Sequence, residues 1–397
     1  MPGIVVIGGG FAGLWAALGA ARVRDRQAAD FAITLVSREP YLTIRPRLYE
    51  AAPETLRVPL DPVLAPVGVG FVAAEVAGID TEARTVAADG PDGALGYDRL
   101  ILAAGSVQRD LTVPGAAEHA WNIDTWDAAV ALDRHLRRIC RDPDAAGHDT
   151  VVIIGAGFTG IELATEMRAR LAVHGGAGTA ARARVILIDQ AATIGPELGP
   201  GPRPVIERAL RDAGLETRLE TRPTRIEADA VTLADGARIR AATAIVTVGL
   251  KASPLAEALA VARDAAGRVA VDPMLRVTGI AGVFAGGDMA RAEADDDHLA
   301  LMSCQHALRT GRVAGHNAAR DLLGLALRPY RHPDYVTCLD LGASGAVFTK
   351  GWDRAVAMTG AEAKALKRKI NREIIYPPEA DRGLILAQAD PDFRSRR

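Results

Sequence analysis

The sequence predicts an α/β protein with two parallel-sheet modules of one design, and three observations carry that prediction. The chain has 397 residues, more than one hydrophobic core usually serves. It opens on an apolar strand (residues 4–7), a glycine turn (8–13) and an alanine-rich helix running to about Arg24. The same succession begins again about 147 residues later, at Val151. Two copies at so long a period mark duplicated modules, not a solenoid.

In the first copy, Ile4-Val5-Val6-Ile7 is a run of the fully buried parallel type. Phe31-Ala32-Ile33-Thr34-Leu35-Val36 supplies the next strand and completes a β-α-β unit. Residues 68–88 read as antiparallel hairpin strands, and 98–105 as a strand ending at the turn Ala104-Gly105. Residues 125–140 read as a helix with Thr125 as N-cap. In the second copy Val151-Val152-Ile153-Ile154 is the strand, 155–160 the turn, and 161 to about 171 the helix. The glycine-rich stretch 174–178 reads as a loop before the strand Val185-Ile186-Leu187-Ile188. No low-complexity linker separates the copies, so they are expected to pack together.

Composition narrows the function classes. Hydrophobic and charged shares of 49% and 24% fit a soluble globular chain. A net charge of −2 offers no basic field to nucleic acid, which is not an expected partner. No apolar run approaches the length of a spanning helix. The first strand follows Met1 almost at once and leaves no room for a signal peptide, so a cytoplasmic location is expected. Cys140, Cys304 and Cys338 are odd in number and far apart, which argues against a disulfide framework or a thiolate metal site. The histidines form no HxxxH or HExxH pair, so no metal is expected.

Each glycine turn is a GxGxxG with a mechanical reading. The first glycine (Gly8, Gly155) permits the tight exit from the strand, and the second (Gly10, Gly157) lets backbone approach a pyrophosphate. The third (Gly13, Gly160) lets the helix pack on the strand. Phe11-Ala12 and Phe158-Thr159 open the helices, whose free N–H groups and positive dipole ends face the phosphates. One such motif is weak evidence, but both copies sit between an apolar strand and a helix, the context the motif requires. Asp189 ends the second strand of the second copy, where a carboxylate can accept both ribose hydroxyls and repel a 2′-phosphate. Gln190 follows with no adjacent arginine, which favours NADH over NADPH; a plain surface aspartate is the alternative. The first copy has Ser37 in that place, a weaker ribose partner, followed by Arg38, which can stack on adenine or pair with a phosphate.

Two such copies in one chain resemble the two-dinucleotide-binding-domain flavoproteins. The residues resemble more narrowly the type II NADH dehydrogenase-like branch. The resemblance rests on the segment 38–52 with Pro46 and Leu48-Tyr49, and on the turn Leu102-Ala103-Ala104-Gly105-Ser106. It rests also on Gly157-Phe158-Thr159-Gly160-Ile161-Glu162, Val248-Gly249-Leu250 and Ala285-Gly286-Gly287-Asp288. These follow in the expected order from residue 3 to about 356. The resemblance implies an FAD domain from 1–114 and 265–330, an NADH domain inserted at 115–264, and a small C-terminal α+β segment at 331–397 on the interface or acceptor side. It implies FAD binding by Gly8, Gly10, Phe11, Ala12, Gly13, Ser37, Arg38, Pro46, Ala104, Gly105, Gly287, Asp288 and Gln305. NADH binding is implied for Gly155, Gly157, Phe158, Thr159, Gly160, Glu162, Asp189 and Gly249. Glu162 and Gln305 would be catalytic, Glu162 in proton handling, unless it only complements the helix dipole. The implied reaction passes two electrons from NADH through flavin to a quinone or quinone-like small molecule. A homodimer is expected.

The sequence also departs from that family. No cysteine precedes Cys140, which excludes the flavin-adjacent CxxxxC of disulfide reductases, and the cysteines do not match sulfide-oxidising quinone reductases. The acceptor-side stretch reads Ser303-Cys304-Gln305-His306-Ala307-Leu308-Arg309, with Arg309 where similar enzymes carry a second glutamine. A fixed cation there would attract an anionic or hydroxylated acceptor. Cys304 and His306 are candidates for redox or proton-relay roles, or else a buried thiol and a helix-facing histidine. The family commonly ends in amphipathic helices that dock on the bilayer. Here residues 361–375 read as a helix with Ala365, Leu366, Ile370 and Ile374 apolar and Lys364, Lys367, Arg368, Lys369 and Arg372 basic, stopped by Tyr376-Pro377-Pro378. Such a stripe can lie peripherally on an anionic membrane or pack on protein. Two rival functions stay open: an NADH-dependent reductase of a small iron-sulfur protein, and a non-catalytic NADH-sensing flavoprotein.

Overall fold

A computed structural model of the chain describes residues 3–89, 93–142 and 147–394. Met1 and the last three positions of the predicted 331–397 segment lie outside them. Strand β1 (Gly3–Ile7), helix α1 (Phe11–Arg26) and strand β2 (Ala32–Ser37) form the first β-α-β unit, followed by β3 (Gly70–Ala73) and β4 (Arg99–Leu102). Helix α2 (Trp126–Ile139) leads into a second unit of β5 (Thr150–Ile154), α3 (Phe158–Arg182) and β6 (Arg184–Ile188), joined by β7 (Glu216–Arg218) and β8 (Thr243–Val246). Strand β9 (Val283–Ala285) and helix α4 (Cys304–Leu322) return to the first unit. Strands β10 (Val336–Asp340), β11 (Ala346–Lys350) and β12 (Ala355–Thr359), helix α5 (Gly360–Lys369) and helix α6 (Arg382–Gln388) close the chain.

The first sheet runs β9-β4-β1-β2-β3 with every pair parallel. The second runs β8-β5-β6-β7, again all parallel, with Ala120–Trp121 on the outer edge of β8. Ile4, Val5, Val6 and Ile7 are all buried, as a central strand with both faces covered requires. Helices α1 and α4 pack on one another closely because Gly311 and Gly315 leave no space for a Cβ against the backbone of Ala12 and Ala16. The C-terminal strands form an antiparallel sheet, with α5 packed against it.

Two expectations from the sequence change. Residues 70–73 of the expected hairpin join the parallel sheet beside β2, while Val76–Asp80, Thr85–Ala88 and Ala94–Gly96 form the antiparallel meander. An edge strand and a hairpin strand carry the same alternating pattern, so periodicity does not separate them. The glycine stretch 174–178 is a kink between two helical segments, not an open loop. Helix α3 continues to Arg182 across a break at Gly176, whose φ is 76°. Thr125 caps α2 as expected, accepting the Ala128 N–H at 3.2 Å.

An ion cluster holds α2 to α3. Asp133, 1% exposed, accepts from His174 Nε2 at 2.9 Å and lies 3.5 Å from Arg170, itself fully buried, with Arg137 at 3.4 Å on the rim. Removing the carboxylate strands a buried guanidinium. Asp133→Ala is therefore expected to cost about 3–5 kcal/mol. A lower urea midpoint with an unchanged m-value is the expected reading, and an unchanged midpoint would contradict it.

Candidate functional site

The two glycine turns open on one cleft of about 2590 Å³. A single ligand site typically occupies roughly 300–1,000 Å³, so the cleft has room for more than one large ligand. The turns are built alike. Gly8 (φ 110°) packs against the Ala103 carbonyl, and Gly155 (φ 111°) against the Thr247 carbonyl. A Cβ on Gly10 would meet nothing within 4 Å, so that backbone faces open space, as a pyrophosphate cradle requires. Phe11, Ala12, Ser37, Arg38, Pro46, Ala104 and Gly105 line the first side of the cleft. Gly155, Gly157, Phe158, Thr159, Asp189 and Gly249 line the second. Gly13 and Gly160, predicted among the nucleotide contacts, do not line it. A Cβ on either would overlap the carbonyl oxygen of Gly8 or Gly155, so their part is to seat the helix on the turn.

Asp189 accepts the Ala156 N–H at 2.6 Å and the Ala191 N–H at 2.8 Å, one on each oxygen. Both oxygens keep further acceptor capacity toward the cleft. Sequence reading missed Glu197. Its Oε1 accepts the Phe158 N–H at 2.9 Å, at the N-terminus of α3 where a phosphate would bind. Glu197 lies in an irregular Gly-Pro-Glu-Leu turn that carries no periodic signal.

At the other end of the cleft, Gly287 (φ 63°) donates its N–H to Thr310 Oγ1 at 2.8 Å and turns Asp288 inward. Asp288 accepts the Ser106 hydroxyl at 2.6 Å, and burial holds its carboxyl above the usual range. Arg45 donates to Ser106 Oγ at 2.9 Å and pairs with Asp124, which also accepts the Gln108 N–H at 3.0 Å. Gln305 donates from Nε2 to the Val336 carbonyl at 3.4 Å and lines the cleft with Cys304 and Arg309.

Glu162, 3% exposed, joins three segments. Its Oε1 accepts the Asp340 N–H at 2.9 Å and lies 2.8 Å from Lys367 Nζ. Burial pushes its carboxyl up to about 7 against the pull of Lys367, and Asp340 adds like-charge repulsion. Lys367 also donates to the Cys338 carbonyl at 2.9 Å and lies near the Tyr49 and Phe158 rings. The sequence placed Lys364 and Lys367 on the basic side of a helix that could lie on a membrane or pack on protein. Both turn inward, Lys364 to Glu166 and Asp340, because buried carboxylates on α3 and β10 compensate them.

The two acceptor-side candidates Cys304 and His306 differ in setting. His306 does not line the cleft. It is buried and stacked on Tyr335 and Trp352, and burial pushes its pKa down to about 3, which favours the neutral ring. The Cys304 thiol is pushed up to about 11 by burial, which leaves almost no thiolate for redox attack.

The family model for pyridine nucleotide-disulphide oxidoreductases matches residues 2–311. The chain belongs to this family. It is 46% identical over the full length of both chains to the NADH dehydrogenase-like protein of Mycobacterium tuberculosis H37Rv. It is 32% identical to that organism's type II NADH:quinone oxidoreductase NdhA, over 72% of this chain and 66% of the relative. The fold superposes on the Plasmodium falciparum NDH2 structure with a TM-score of 0.73 at 12% identity, covering 98% and 97% of the two chains. Within the family this chain stands in the type II NADH dehydrogenase-like branch, and it is an oxidoreductase. Its three cysteines are all free thiols, so the dithiol chemistry in the family name has no partner pair here.

Helix seating at the turns is testable apart from any ligand. Gly160→Ala is expected to destabilise by about 1–3 kcal/mol through overpacking against Gly155. A thermal scan without added nucleotide checks it, and an unchanged Tm would show that the close approach is not needed.

Proposed function

We propose that this oxidoreductase is an FAD-dependent NADH dehydrogenase whose acceptor is a quinone or quinone-like small molecule. The observation that carries the reading is one cleft shared by two equivalent glycine cradles, with a buried carboxyl–ammonium pair at its wall. FAD would lie on the Gly8–Gly10 turn, with Ser37 and Arg38 toward its adenosine and Asp288 toward its ribityl chain. NADH would lie on the Gly155–Gly157 turn with Asp189 on the ribose. Bound FAD supplies the two-electron relay between nicotinamide and acceptor.

The chain's own residues position, exclude water and move a proton. The NADH pyrophosphate must displace Glu197 from the Phe158 N–H, so nucleotide entry is coupled to the movement of one carboxylate. Reduction of a quinone by NADH consumes one proton beyond the hydride: NADH + quinone + H⁺ gives NAD⁺ + hydroquinone. Glu162, titrating near neutrality beside the cleft, is placed to hold that proton, and Lys367 sets how readily it is released. Gln305 lines the acceptor end. A homodimer and peripheral contact with an anionic membrane belong to this proposal too; Arg368, Lys369 and Arg372 remain exposed and support the latter.

The deciding experiment is anaerobic reduction of the purified yellow protein by NADH, followed by mixing with menadione. Rapid bleaching and rapid reoxidation are expected. Asp189→Ala should raise the KM for NADH by about an order of magnitude through lost ribose hydrogen bonds. Reduced flavin that no quinone reoxidises would overturn the reading.

The pH profile tests Glu162. The carboxyl is protonated below about 7 and ionised above it, so quinone turnover should fall as pH rises through that value. Glu162→Gln should lower turnover and remove that limb. Lys367→Met removes the cation that favours ionisation and should move the limb to higher pH. A limb at the same pH in both variants would assign it elsewhere.

A further inference from the structure

Arg312 is a buried cation short of counter-charge. It is 7% exposed, yet it lines the cleft. Its guanidinium lies 3.8 Å from the Trp15 ring centroid and 5.4 Å from that of Phe393, so aromatic faces flank it while the edge of the fork stays available. Nε donates to the Gln388 carbonyl at 2.8 Å. Among the described residues no carboxylate lies within ion-pairing distance of it, and Asp390, the carboxylate that acts on it through space, is already paired with Arg22. Burial and the neighbouring Arg309 together push its pKa down to about 9, which measures how poorly the charge is compensated.

Its position along α4 gives this a direction. Gln305, Leu308, Arg309 and Arg312 all line the cleft, at the i, i+3, i+4, i+7 spacing of one helix face. Seven residues of helix separate Gln305 from Arg312 by about 10 Å. A ligand whose ring meets Gln305 and whose arm runs past Leu308 would end at Arg312. Arg394, paired with Asp334 at 3.3 Å, lines the same end of the cleft.

We propose that Arg312, flanked by Arg309 and Arg394, forms an anion subsite, and that the acceptor is a quinone-like ring carrying a carboxylate on an arm about 10 Å long. This rests on the NADH:quinone reading and names its substrate class. Apolar isoprenoid tails would leave the guanidinium buried and unpaired, so the subsite also selects against them.

The test uses the oxidised holoenzyme with 8-(1,4-naphthoquinon-2-yl)octanoic acid, whose extended arm matches the Gln305–Arg312 span, and its methyl ester, with affinities by calorimetry. The acid should bind about tenfold more tightly, and raised salt should shrink the preference. Arg312→Gln should bring the two within about twofold. Arg394→Met, on an exposed side chain that a fold defect would not confuse, should reduce the preference partially. Equal binding of acid and ester by the unaltered protein, or a full preference kept in both variants, would overturn the subsite. Reoxidation of NADH-reduced flavin separates the two readings. Equal rates with acid and ester sink the subsite alone, whereas no reoxidation by either compound sinks the quinone reading beneath it.

Discussion

At Gly8 and again at Gly155 the chain leaves a buried strand through a left-handed turn and enters a helix at once. The helix can do so only because Gly13 and Gly160 carry no side chain against the carbonyl oxygens of those turns. That close approach fixes where each helix N-terminus points. It also leaves Gly10 facing open space and Gly157 facing the Glu197 carboxylate. The shared cleft follows from two such corners. The first is held by β1, β2 and β4, the second by β5, β6 and β8. Side chains could not substitute for this arrangement, since what faces the cleft there is backbone N–H.

Polar groups as well as apolar contacts such as Leu48, Tyr49 and Leu56 hold the segments around the cleft together. Arg45, Ser106, Asp124 and Asp288 form one connected set, and Glu162, Lys367, Asp340 and Lys364 form another. Buried ion pairs contribute little net stability, because desolvation offsets the attraction. Their presence on both walls of the cleft is better understood as tuning charge there. The same burial that makes Glu162 a poor contributor to stability brings its titration to neutrality.

Much of this was legible in the sequence. A four-residue apolar run followed by GxGxxG admits few structures, and its recurrence at Val151 fixed the α/β architecture. Short-range pattern did not reveal contacts between distant segments. Residues 361–375 show a basic stripe, and nothing local tells Lys367, buried against Glu162 some 200 positions earlier, from Arg368, which is exposed. Glu197 was hidden for the same reason, since its role depends on a turn folding back over the Phe158 N–H. His306 misled in the opposite sense. Adjacent to Gln305 in sequence, it points 100° away on the helix and into the aromatic stack.

That last geometry explains how α4 serves two ends. A helix can present only one residue in three or four to any one neighbour. On α4, Gln305, Leu308, Arg309 and Arg312 face the cleft, Gly311 and Gly315 face α1, and His306 faces the ring stack under β10. Each face is committed, so the substitution of arginine for glutamine at 309 cannot be absorbed by rotating the helix. The Ala12 and Ala16 contacts would be lost first. The rotation that seats Gly311 and Gly315 on α1 is thus the same one that turns Gln305, Leu308, Arg309 and Arg312 to the cleft.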